Sequence, residues 1–174
     1  MIHSILGSIA QVFKGTLKSA TAESNQSVAI KMIHPHVEKL VHTDMELLNI
    51  IASMIDTIPS LEILSIGETM RQFADCMTSQ LDLRFEASNL VKFTKKFAED
   101  KWALFPCPIE GFVTKNVLVE TLMEGAPISN FMHLKGEIGD SIYQLKMKLS
   151  DLGVRLILKM VFFDNLIHGD LHPG

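Results

Sequence analysis

Two stretches of this chain set ionisable side chains where ordinary surface chemistry does not account for them. In His168-Gly169-Asp170-Leu171-His172-Pro173-Gly174 a carboxylate directly follows a long apolar helical pattern. The Pro-Gly pair after it favours an extended, turning backbone. A helix that delivers an Asp into such a loop can present it to a hydroxyl, whose proton the carboxylate orients or accepts. The second stretch is Val28-Ala29-Ile30-Lys31. Strand alternation puts Ala29, Lys31 and Ile33 on one face and Val28, Ile30 and Met32 on the other. A lone lysine is ordinarily solvated, but both faces of this strand are apolar, so the ammonium faces an enclosed region and needs an anionic partner. Carboxylates are available at Asp82 and Glu86, four residues apart and so on one face of a helix. In an anonymous helix such a pair would be a solvated surface beside Arg84 and Lys92.

The elements that must position these groups follow from periodicity. Residues 9–13 and 27–33 read as strands, separated by a polar, turn-rich stretch at 19–26. His34-Pro35 ends the second strand. Val37, Leu40, Val41, Met45, Leu48, Ile51 and Ile55 predict a helix from Val37 to about Ile58, closed by Pro59. Met70, Phe73, Met77, Leu81, Phe85, Leu90, Phe93 and Phe97 predict one continuous helix from about Glu68 to Glu99. Strands at about 108–114 and 117–123 are joined by Lys115-Asn116 as a tight hairpin. Glu124-Gly125-Ala126-Pro127 then reads as a hinge, and a third long helix runs from Asp140 to Asp164. The order is α+β: a mixed lobe, a hinge and a helical lobe.

Taken together, these motifs carry a resemblance. Val28-Ala29-Ile30-Lys31 matches the protein-kinase strand whose Lys holds the α- and β-phosphates of ATP, and the Asp170 loop is built like a kinase catalytic loop. Ser8-Ile9-Ala10-Gln11-Val12, Asp82-Leu83-Arg84-Phe85-Glu86-Ala87-Ser88-Asn89-Leu90 and the His168–Gly174 string resemble the UbiB/aarF-domain family of atypical kinases. Residues 117–121 and 158–165 are most similar to its mitochondrial branch, called aarF-domain-containing kinase two. The resemblance spans Gly7 to Gly174. It implies a protein-kinase-like two-lobed fold, with about 1–123 as a mixed N-lobe carrying inserted helices and about 124–174 as the hinge and the start of the C-lobe. It also implies an ATP site with Lys31 on the phosphates, Glu86 as its ion-pair partner and Asp170 as the catalytic aspartate. Gly7 and Ala10 would stand in the phosphate loop, Val12 and Ala29 over the adenine, and the Thr121–Met123 backbone at the hinge edge. ATP with Mg2+ is the implied cofactor pair. Lipid or coenzyme Q pathway proteins are the implied partners, in a mitochondrial process supporting ubiquinone biosynthesis.

The sequence departs from the family pattern at several points. Gly7 and Ala10 alone represent the small-residue phosphate loop, after the bulky Ile5-Leu6, which hinders close approach of backbone to phosphate. The acidic Glu-x-Asp motif is Gln80-x-Asp82. The metal-binding Asn expected five residues after Asp170 would fall at position 175. The sequence as given is therefore expected to be an incomplete domain, truncated at the catalytic loop, with no metal ligand of its own and no appreciable ATP turnover. A catalytically inactive, pseudokinase-like module that binds a partner or a lipid is the alternative reading; the lost glutamate at Gln80 favours it.

Composition excludes other classes. A hydrophobic share of 47% excludes disorder, and a net charge of −4 leaves no electrostatic footprint for nucleic acid. Cys76 and Cys107 form no Cys-x-x-Cys pair and read as reduced packing residues. No transmembrane segment is evident, because Arg155, Lys159 and Asp164 interrupt the most apolar stretch. Residues 1–6 show neither a signal-peptide n-region nor an Arg-rich transit pattern. His168 and His172 share the spacing of a zinc-peptidase pair, but that motif requires a regular helix, which Gly169 and Pro173 disfavour.

Overall fold

The alternating stretches form strands, and the hairpin brings the distant ones back beside the early ones. In the computed structural model, β1 (Ser4–Leu6), β2 (Ala10–Leu17), β3 (Gln26–Ile33), β4 (Pro108–Val113) and β5 (Val117–Thr121) make one antiparallel sheet in the order β1-β2-β3-β5-β4. The structure describes residues 4–6, 9–18, 25–58, 65–136, 140–169 and 171. Residues 19–24 of the turn-rich stretch expected at 19–26, Pro59, Gly7, Asp170 and His172 lie outside the described residues. β3 is the central strand, which explains why both of its faces are apolar in sequence. Lys31 stands opposite Val12 on one side and Leu118 on the other; Ala29 stands between Lys14 and Glu120.

The helices are α1 (Val37–Asp56), α2 (Ile66–Ser79), α3 (Leu83–Lys96), the short α4 (Ser129–Met132) and α5 (Ser141–Leu158). α5 continues into a π-helical turn, Lys159–Phe163, so the helical run ends where the apolar stripe does. The single helix expected from 68 to 99 is in fact two, α2 and α3. The break falls at Gln80–Asp82, where the stripe carries on in phase and hides it. Two interactions impose the break. The Asp82 carboxylate accepts the backbone N–H of Arg84 at 3.0 Å, an N-cap for α3, and Leu83 N–H donates to Lys115 O at 2.9 Å rather than to the helical turn that precedes it.

The chain divides into two compact units, residues 1–91 with 106–122, and residues 92–105 with 123–174. In the first, Leu83 and Ala87 of α3 bury against Leu118 of β5, with Ile33, Leu90 and Val113 around them. This seats the first turns of α3 on the sheet face that carries Lys31. In the second, Phe93, Phe97 and Met160 form the core, flanked by Ala103, Phe105, Leu156 and Leu166. The Phe93 and Phe105 rings stack at 5.0 Å, and the His168 ring lies 5.8 Å from Phe93, tilted against it. Lys159 sits 4.7 Å over the Phe97 ring and pairs with Asp164 at 3.0 Å and Asp100 at 3.4 Å.

Leu118 has no exposed surface, and it joins the sheet to α3. Leu118→Ala is expected to cost about 2–5 kcal/mol of unfolding free energy in urea titration; a loss below about 1 kcal/mol would show that α3 is not seated there.

Candidate functional site

The site begins with the charge that β3 cannot leave unpaired. Lys31 is partly buried on the face covered by α3, and its ammonium donates to both oxygens of Glu86, Oε1 at 2.8 Å and Oε2 at 2.7 Å. Glu86 lies in the first turn of α3, where the positive end of the helix dipole favours a carboxylate. Its position follows from spacing: Leu83 and Ala87 face the core, which turns Glu86 toward Lys31 at the edge of that contact.

The other residues singled out in sequence divide by face. Ala10 pairs with Ile33, Val12 with Lys31, and Ala29 with Glu120, so Ala10, Val12, Ala29 and Lys31 all project from the same side of the sheet. Ala10 and Ala29 are buried, and together with Val12 they floor the Lys31 face with small apolar side chains. Thr121 pairs with Val28 and points to the opposite face, where its hydroxyl accepts the N–H of Cys107 at 2.9 Å. What Thr121 offers the Lys31 side is backbone alone. Met123 is exposed and belongs to the second unit. Gln80 is exposed in the turn before α3. Asp82 does not join Glu86 at Lys31. Arg84 clamps it through Nε at 2.9 Å and Nη2 at 2.6 Å, and those hydrogen bonds hold its carboxyl at about 2. Gly7 and Asp170 lie outside the described residues.

The structure adds one residue that sequence reasoning passed over. Glu120, on β5, shares the face of Ala29 and Lys31. Its Oε2 is buried and accepts no hydrogen bond among the described residues. Burial, and then the negative charge of Glu86, push its carboxyl up to about 7, against the opposing pull of Lys31. In the sequence it is marked only as a glutamate directly after the apolar run Val117-Leu118-Val119; its burial comes from the register with β3.

Chemically, the face is an apolar floor beside an ammonium that, among the described residues, directs two of its protons at Glu86 and has a third to offer an incoming anion. A planar ring suits the floor and a phosphate suits the ammonium. Among the described residues no group of three or more His, Cys, Asp or Glu side chains is placed to hold a metal ion. No helix among them is long and apolar enough to cross a membrane.

A five-stranded sheet with a helix glutamate locked onto its central-strand lysine defines a kinase-like fold. The solved structure of Rv3197 from Mycobacterium tuberculosis, determined in complex with erythromycin, has that fold: it superposes with a TM-score of 0.73 over 97% of this chain and 39% of its own, at 21% identity. The family model described as the ABC1 atypical kinase-like domain matches residues 6–174, and the chain belongs to that family. Among relatives, the ABC1 family protein YPL109C, mitochondrial, of Saccharomyces cerevisiae is 34% identical over 97% of this chain and 27% of its own length. A probable protein kinase UbiB of Vibrio vulnificus is 30% identical over 96% of this chain and 29% of its own. The chain thus spans less than a third of the length of these relatives.

A carboxyl whose folded value is raised contributes stability that is complete below its unfolded value of 4.5 and lost as pH rises through about 7. The wild-type chain is therefore expected to lose stability between pH 5 and pH 7, by about 2 kcal/mol or less after solvent screening. Glu120→Gln should flatten that slope in urea titrations at the two pH values; an equal slope in both proteins would contradict the assignment.

Proposed function

We propose that the chain is the nucleotide-binding part of an atypical kinase or ATPase of the ABC1/UbiB type. The observation that carries this reading is the two-oxygen contact of Glu86 with Lys31 on an apolar, small-residue sheet face. Glu86 holds the ammonium extended at one place, and a preorganised cation is what a polyphosphate needs for tight, oriented binding. In this reading Lys31 takes the ATP phosphates, and Ala10, Val12 and Ala29 contact the adenine. Gly7 approaches the phosphates through its backbone, and the Thr121–Met123 backbone borders the base. Asp170 serves as the acceptor or orienter of a hydroxyl proton. When bound, Mg2+ neutralises charge on the phosphates.

For the whole protein, we infer a mitochondrial role in support of ubiquinone biosynthesis or lipid metabolism. The names of the relatives support it, UbiB for the bacterial one and mitochondrial for the yeast one.

The test is MgATP affinity by calorimetry for the wild-type chain, Lys31→Met and Asp170→Asn. Lys31→Met is expected to weaken binding by about tenfold to a hundredfold, as loss of a charge-assisted contact does. Asp170→Asn should leave affinity within about threefold, because a proton acceptor acts on the reacting hydroxyl rather than on the nucleotide. Equal affinity in wild type and Lys31→Met would overturn the reading. Absence of MgATP binding by the folded wild-type chain would favour a pseudokinase-like module.

A further inference from the structure

The Lys31 face holds one more carboxylate than the ion pair uses. Antiparallel pairing sets Glu120 opposite Ala29 and Leu118 opposite Lys31, so Glu120 and Lys31 leave the same side of the sheet one diagonal step apart. The charged groups acting on Glu120 are Glu86 from α3 and Lys31 from β3. On its other flank β4 sets Pro108 opposite it, which brings no charge. Glu86 already occupies Lys31 with both oxygens, and Oε2 of Glu120 is left buried with no hydrogen-bond partner among the described residues. A buried acceptor in that condition is a cost that an apolar side chain such as Met at the same position would remove.

We propose that Glu120 is a positioning residue for Lys31, acting through a single proton. With the proton on, Glu120 is neutral, Glu86 alone holds the ammonium, and the three side chains sum to zero charge. With the proton released to solvent, Glu120 competes with Glu86 for Lys31, and the sum becomes −1. The first state receives a polyphosphate; the second draws the ammonium aside and repels it. A carboxyl of about 7 puts the change within the neutral range. The proposal rests on the reading of the Lys31 face as a nucleotide-phosphate site.

Two readouts on the full chain test it. The first needs no nucleotide: NMR titration of the Lys31 ε-carbon in 13C-lysine-labelled protein, assigned with Lys31→Arg. Wild type should show an inflection near pH 7, Glu120→Gln none, and Glu120→Asp should keep one because the carboxyl is retained. The second is MgATP affinity at pH 6 and pH 8, taken as the ratio of Glu120→Gln to wild type so that titration of the nucleotide's own phosphates cancels. That ratio should rise on the order of fivefold from pH 6 to pH 8, the effect of one nearby charge in a partly solvated site. An Lys31 signal with no inflection in wild type, in a chain that still binds MgATP, overturns this inference and leaves the nucleotide reading standing. An inflection with a pH-independent ratio also overturns it. An inflection in a chain that binds no MgATP supports the coupling of Glu120 to Lys31 and overturns the nucleotide reading instead.

Discussion

A lysine on the central strand of a sheet has nowhere to send its charge but toward whatever packs on that face. Lys31 is in that position, and the rest of the first unit is arranged around the need to meet it. Both oxygens of Glu86 lie within 2.8 Å of the ammonium. Losing either partner would leave a partly buried charge uncompensated, a larger loss than the pair's net contribution to stability. The pair therefore constrains more than it stabilises. It fixes where α3 sits along β3, and it holds the ammonium beside a floor of Ala10, Val12 and Ala29.

α3 meets these demands because consecutive positions along it do different work. Asp82 caps its start and is tied to Arg84, Leu83 and Ala87 bury on Leu118, and Glu86 reaches Lys31. Further along, Phe93 joins the aromatic core of the second unit, with Phe97 just past the helix end. A shift of one residue along α3 would rotate every one of these side chains by about 100° and undo all the contacts together. The second unit applies a similar logic to charge: Lys159 is fixed by Asp100, Asp164 and the Phe97 ring in the π-helical turn that precedes the loop toward Asp170.

The residue pattern revealed the strand lysine, the glutamate that pairs with it and β2, β3, α1, β4, β5 and α5 in their order, because each is written in local periodicity or in a specific string; it did not mark β1 or α4. It did not reveal the break between α2 and α3. Met77, Leu81, Phe85 and Leu90 keep helical phase across the break, while the hydrogen bond from Leu83 to Lys115 O that enforces it comes from 32 residues away. Nor did it reveal Glu120 as part of the site. A glutamate in a strand reads as an exposed position until the register with β3 turns it to the buried face. Facts of this kind belong to packing, and no window of sequence contains them.

The central claim is that Glu86 acts on nucleotide binding only by holding Lys31. A double-mutant cycle in MgATP affinity tests this most directly, with wild type, Lys31→Met, Glu86→Gln and the double variant. The account predicts strong non-additivity: each single change weakens binding, and Glu86→Gln adds little further loss once Lys31 is gone. Losses that simply add would contradict it, since Glu86 would then contribute independently of the lysine it holds.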